Sequence, residues 1–71
     1  MKRIKYVIYQ EGKYFVSQCL NVDISSFGKT VEEASANLVE VLQLFFEDDK
    51  AKNDYVLIKD PLIGETWLNV K

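Results

Sequence analysis

The sequence predicts an α+β domain of order β-β-β-α-β, an antiparallel sheet with one long helix packed on one face. Three observations carry that prediction. Two runs rich in β-branched and aromatic residues flank a Glu-Gly turn. A long stretch repeats apolar residues at steps of three and four. The sequence between them, Phe27-Gly28-Lys29-Thr30-Val31-Glu32-Glu33-Ala34, reads as a corner from strand into capped helix.

The first strand is predicted over 3–10 (RIKYVIYQ) and the second over 13–20 (KYFVSQCL). Glu11-Gly12 joins them, with glycine supplying the positive φ of a tight hairpin turn. A shorter third strand is predicted over 23–27 (DISSF), ending at Gly28, which is read as the sharp turn out of the strand. Alternation leaves apolar side chains on both faces: Tyr6 and Ile8 oppose Val7 and Tyr9, and Tyr14 and Val16 oppose Phe15 and Cys19. One helix covers one face of a two-layer domain, so the other is expected to meet a second subunit or a partner. Val7, Tyr9 and Phe15 are the candidates for that self-association.

The helix is predicted over 31–48. Val31, Ala34, Leu38, Val41, Leu42 and Phe45 fall on one stripe, with Phe46 at its edge. Glu33, Glu40 and Glu47 are seven apart and form an acidic line on the polar side, where Leu44 is the one apolar misfit. Beyond Glu47-Asp48-Asp49-Lys50 the periodicity fades. The YVLI run at 55–58 reads as a short strand or an extended packing segment, and 65–70 (ETWLNV) as a closing strand. Asp60-Pro61 and Gly64 are turn signals between them.

Length bounds the rest. The whole chain, 1–71, is a single domain. A domain this small buries only about 60% of its unfolded surface, so it needs a further stabilising device. One cysteine makes no internal disulfide, and a lone Cys without any His builds no zinc site. Self-association into a dimer or tetramer is the device that remains, and no cofactor is expected. A net charge of −2 gives no field favouring nucleic acid, and Lys2, Arg3 and Lys5 are the only basic cluster. Tyr9 and Phe15 could stack bases on a sheet face, but the acidic helix argues against direct nucleic-acid binding. The basic start leads into an apolar run that ends at Gln10-Glu11-Gly12 with no small-residue cleavage site. No stretch approaches the roughly 20 apolar residues of a membrane span. A cytoplasmic protein with reduced Cys19 and no membrane partner is expected.

Gly28-Lys29-Thr30 also ends a phosphate-binding loop, G-x-x-x-x-G-K-[ST]. The first glycine of that pattern would stand at position 23, which holds Asp23, a carboxylate that would repel phosphate. A capping box explains the stretch directly. The Thr30 hydroxyl accepts from the Glu33 N–H, and the Glu33 carboxylate reaches back to the N–H of Thr30. Enzyme chemistry has no other foothold. Cys19, Ser25 and Ser26 have no histidine to activate them. Glu11, Asp23 and Glu65 are the only strand-associated carboxylates, too scattered for a two-metal site. Cys19 reads as a small packing residue.

The order of these features resembles the N-terminal domain of HicB-type antitoxins. The resemblance covers 11–48 and rests on Glu11-Gly12, Tyr14-Phe15, Gly28-Lys29-Thr30, Glu32-Glu33-Ala34, Asn37-Leu38, Glu40-Val41-Leu42 and Leu44. It is most specific in the G-x-T-x-E-E-A-x-x-N-L run. Where many members carry a Pro- and Gly-containing turn after the second strand, this chain has Cys19-Leu20-Asn21-Val22-Asp23. The resemblance implies part of a ribonuclease H-like fold without its catalytic carboxylates. It also implies a partner, a small basic HicA-like toxin ribonuclease whose active site is covered. Glu33, Glu40, Glu47 and Leu44 are the candidate partner-binding residues. Operator binding by this chain is not expected, because the residues after the helix read as a closing strand.

Overall fold

The computed structural model describes residues 2–48 and 54–70. Asp49 and Lys50, of the Glu47-Asp48-Asp49-Lys50 run where the periodicity fades, lie outside the described residues. Three antiparallel strands are followed by one helix: β1 (Tyr6–Glu11), β2 (Tyr14–Cys19), β3 (Ser25–Gly28) and α1 (Val31–Phe46). The α+β order is as the sequence predicts. The strands lie in the order β1-β2-β3, so β1 and β3 are the edges.

Gly12, with φ of 61°, takes the first central position of the two-residue turn between β1 and β2. That turn fixes the register. Tyr6 faces Cys19, Ile8 faces Ser17 and Gln10 faces Phe15. Phe15 then pairs with Gly28 and Ser17 with Ser26. Side chains of directly opposed residues share a face. The face that α1 covers therefore carries Tyr6, Ile8, Phe15, Ser17, Cys19, Ser26 and Gly28. The open face carries Val7, Tyr9, Tyr14, Val16 and Phe27.

The helix lies mainly across β3 and β2 and meets β1 at few points. Its approach is close because the facing residues are small. A Cβ on Gly28 would sit 2.6 Å from the Ala34 nitrogen and 2.8 Å from the Glu33 carbonyl carbon. Gly28 is thus required inside β3 by backbone packing, and its φ is not the reason. Ser17 is fully buried, and its hydroxyl donates to the Ala34 carbonyl at 2.7 Å. The core proper is Cys19, Val22, Leu38 and Leu42, flanked by Ile4, Ile24, Phe45 and Phe46.

The buried stripe of α1 is narrower than the periodicity implies. Ala34, Leu38 and Leu42 are buried, whereas Val31 and Val41 remain 43% and 39% exposed at its margins. The helix ends at Phe46, with Glu47 as C-cap, two residues before the predicted end.

After the helix, Tyr55 and Val56 are tied to the body without forming a strand. The Val56 N–H donates to the Asn21 carbonyl at 2.9 Å, and the Asn21 side-chain amide donates to the Val56 carbonyl at 2.8 Å. Asn21 also accepts the Lys5 N–H at 2.7 Å, and the Tyr55 hydroxyl donates to the Arg3 carbonyl at 2.7 Å. The 55–58 run is the extended packing segment. The predicted closing strand at 65–70 is not formed: those residues belong to no ladder and are exposed throughout. Among the described residues no helix is long and apolar enough to cross a membrane.

Candidate functional site

Thr30 is the N-cap of α1, in an extended conformation at φ −133° and ψ 165°. Its hydroxyl accepts the Glu33 N–H at 3.0 Å. The return bond differs in one detail from the sequence expectation: Glu33 accepts the N–H of Lys29, at 3.1 Å, in place of that of Thr30. The Thr30 N–H is replaced because Glu33 reaches past the cap into the bend that precedes it. Gly28-Lys29-Thr30 is accordingly a strand-to-helix corner whose polar groups serve the cap.

The helix presents two unlike flanks. At about 100° per residue, Glu33, Glu40, Leu44 and Glu47 fall within one narrow sector on the β3 side. All four are exposed, and Leu44 is 63% exposed with Glu40 one turn before it and Glu47 one turn after. Leu44 is therefore part of the acidic row, its one apolar member. Asn37 lies between that row and the sheet and donates to the Phe27 carbonyl at 2.8 Å, pinning the helix to β3.

The opposite flank looks toward β1. Leu38, Val39, Leu42 and Phe46 from α1, with Ile4 and Tyr6 from the β1 side, line an apolar groove of about 470 Å³, with Lys2 and Gln43 at its margin. Tyr6 is also tied to the helix, its hydroxyl lying 2.6 Å from the Ser35 hydroxyl. Lys2 is held at the mouth, its ammonium 4.5 Å from the Tyr55 ring centre and 6.0 Å from that of Phe46.

A third surface is the open sheet face. Val7 and Tyr9 lie on it, as candidates for self-association. Phe15 does not: the register carries it to the helix-covered face beside Ser17 and Cys19, where it is half-buried. Its place is taken by Tyr14, Val16 and Phe27, which the sequence reading does not nominate. Tyr9, Val16 and Phe27 form one cross-strand row, and Tyr14 meets Phe27 edge to face at 6.0 Å between ring centres. The signal for them was present in the alternation, but only the register says which strand positions share a face.

The carboxylates weighed for hydrolysis stay apart, with Glu11 at the hairpin tip, Asp23 in the β2–β3 loop and Glu65 beyond the packed segment. Among the described residues no group of three or more His, Cys, Asp or Glu side chains comes together to hold a metal ion. Cys19 is a buried free thiol in the core. Asn21 was also missed. Buried between Leu20 and Val22, it is a polar residue in an apolar loop, which is the pattern of a side chain that bonds backbone. No protein-family model, curated protein or solved structure matches this chain.

Proposed function

We propose that this chain is a non-catalytic binding domain, an antitoxin of the HicB type that docks on a small basic HicA-like toxin ribonuclease and masks it. The observation that carries the reading is the β3-side flank of α1, where exposed Leu44 is set in the row Glu33, Glu40 and Glu47. A ribonuclease that grips the RNA backbone presents cationic side chains, and an acidic row speeds encounter with such a surface. Leu44 adds an apolar contact that becomes desolvated at the centre of the interface. The cytoplasm, where a thiol such as Cys19 stays reduced, is the expected place of work.

Glu47 supports the reading from another direction. It caps the C-terminal end of α1, the negative end of the helix dipole, and the last turn carries no basic residue. A carboxylate there opposes helix stability. Glu47→Lys is expected to raise the stability of the isolated chain by about 0.5 kcal/mol. The same change should weaken binding to a basic partner. Thermal melts and a binding titration on one preparation read both signs, and a variant that gains affinity would sink the electrostatic argument.

The deciding experiment is co-expression with the product of an adjacent gene for a small basic, His-containing protein. Growth arrest by that product alone, relieved by this chain, is the expected result. Glu40→Lys combined with Leu44→Lys should abolish the relief while leaving the helical circular dichroism intact. A harmless neighbour, or one still toxic with this chain present, would end the antitoxin reading. The alternative is a homo-oligomeric scaffold or adaptor, dimer or tetramer, without a toxin. The open face of Val7, Tyr9, Tyr14, Val16 and Phe27 favours it, because contiguous exposed aromatics on a small domain mark contact surfaces.

A further inference from the structure

Residues 61–70 are exposed without exception, although they carry five large apolar side chains: Leu62 at 95%, Ile63 at 85%, Trp67 at 98%, Leu68 at 75% and Val70 at 78% exposure. The molecule measures 45 × 26 × 23 Å, elongated for a chain of this size. The departure begins at Asp60, the one non-glycine residue with positive φ among those described, at 45°, followed directly by Pro61. Positive φ is sterically unfavourable for a residue with a Cβ, and proline restricts the residue before it as well. A short strained hinge that releases an apolar strand-type segment is the arrangement that favours exchange between copies.

The same chain carries the complementary receptor. Among the described residues β1 is an edge strand, with no strand paired along its outer side. Because α1 leans toward β3, the space above β1 is the apolar groove lined by Ile4, Tyr6, Leu38, Val39, Leu42 and Phe46. We infer that residues 61–70 form an exchange arm that adds to the β1 edge of a second copy of this chain and seats Trp67 in that groove, reciprocally in a closed dimer. This surface is separate from the acidic flank of α1 and does not depend on the toxin reading.

The chemistry fits in three respects. In a strand, residues two apart share a face about 7 Å from each other. With Trp67 in the groove, Glu65 points to the same side and meets the margin where Lys2 is held. Thr66, Leu68 and Val70 then fall on the other face, continuing the row of Val7 and Tyr9. The groove, at about 470 Å³, is roomy enough for an indole. In size, Trp67 alone brings about 200 Å² of surface. Ile63, four residues before it, falls on the same side of the arm, and a closed dimer doubles the buried area because both arms exchange. Backbone bonds along the edge supply affinity and the seated side chain supplies selectivity, as in other strand additions.

Trp67 is the only tryptophan, so its fluorescence reports the arm alone. In the full chain its emission should shift to the blue with rising concentration, with the same midpoint as the mass change in analytical ultracentrifugation. Val39→Lys places an ammonium in the groove and should move that midpoint upward by more than about tenfold, since an unpaired buried charge is costly. Val39 is 45% exposed, so the domain should keep its circular dichroism. Leu68→Asp should act in the same direction from the arm side. Val16→Lys, on the open face of β2, should leave the midpoint unchanged. Emission independent of concentration overturns the proposal, whether Trp67 stays in water or packs on its own body. A dimer that survives Val39→Lys but is lost with Val16→Lys overturns it equally.

Discussion

The two faces of the sheet reverse the usual relation between residue size and burial. The covered face is built at its centre from Ser17, Ser26, Gly28 and Cys19, and the open face from Tyr9, Tyr14, Val16 and Phe27. Phe27 is 62% exposed, whereas Ser17 is fully buried one strand away. The helix backbone comes so close to β3 that there is no room for a side chain under Ala34. Small residues are the condition for that approach, while Tyr9, Tyr14 and Phe27 are left where none of the described residues covers them. Both faces carry large apolar residues, so hydrophobicity alone does not choose the interior.

The comparison can be broken most directly at Gly28. Gly28→Val should cost upward of about 3 kcal/mol in denaturant unfolding, because its Cβ has backbone atoms for neighbours and backbone cannot give way as a side chain can. A loss below about 1 kcal/mol would mean that the helix can ride higher and that size does not set the face. Ser17→Ala is next. It removes a buried hydroxyl bond to the Ala34 carbonyl and should cost about 1.5 kcal/mol, read by the same unfolding curves. Thr30→Ala should cost on the order of 1 kcal/mol by loss of the cap bond to Glu33. Partner binding should fall no further than that stability loss explains, and a larger defect would return Gly28-Lys29-Thr30 to consideration as an anion site. Phe27→Ser should matter least, at under about 1 kcal/mol in the monomer, since Phe27 is already 62% exposed and gives up only an edge-to-face contact with Tyr14 and its cross-strand pairing with Val16. If Phe27→Ser proves as damaging as Gly28→Val, the open face is part of the folded monomer and the contrast collapses.

Much of this was legible in order and little of it in orientation. The run of three strands and a helix follows from residue type and spacing, and Gly12 sets the hairpin, in a turn of Gly12-Lys13 that begins one residue after the Glu11 expected in it. The cap was readable because Thr30 and Glu33 need only local spacing to find each other. Phe15 lies on the covered face and not on the expected one, because alternation says which residues oppose one another within a strand, and pairing with Gly28 says where they go. The 65–70 run departs from the expected strand for a related reason. Its residues have strand character, but a strand exists only where another backbone offers hydrogen bonds, and none does within this chain's described residues. Leu44 stood out correctly as a misfit, and its membership of the acidic row follows from helical geometry.

Local chemistry therefore accounts for the strands, the hairpin turn, the capped helix and the acidic row, since each depends on residues within a few positions of one another. The choice of covered face, the need for glycine at 28, the clamp made by Asn21 and the unpartnered arm after Asp60 all depend on contacts between residues far apart in sequence. Close packing settles those features: which backbones can approach, and what is left with nothing to pack against, is a property of assembled volume that no window of sequence contains.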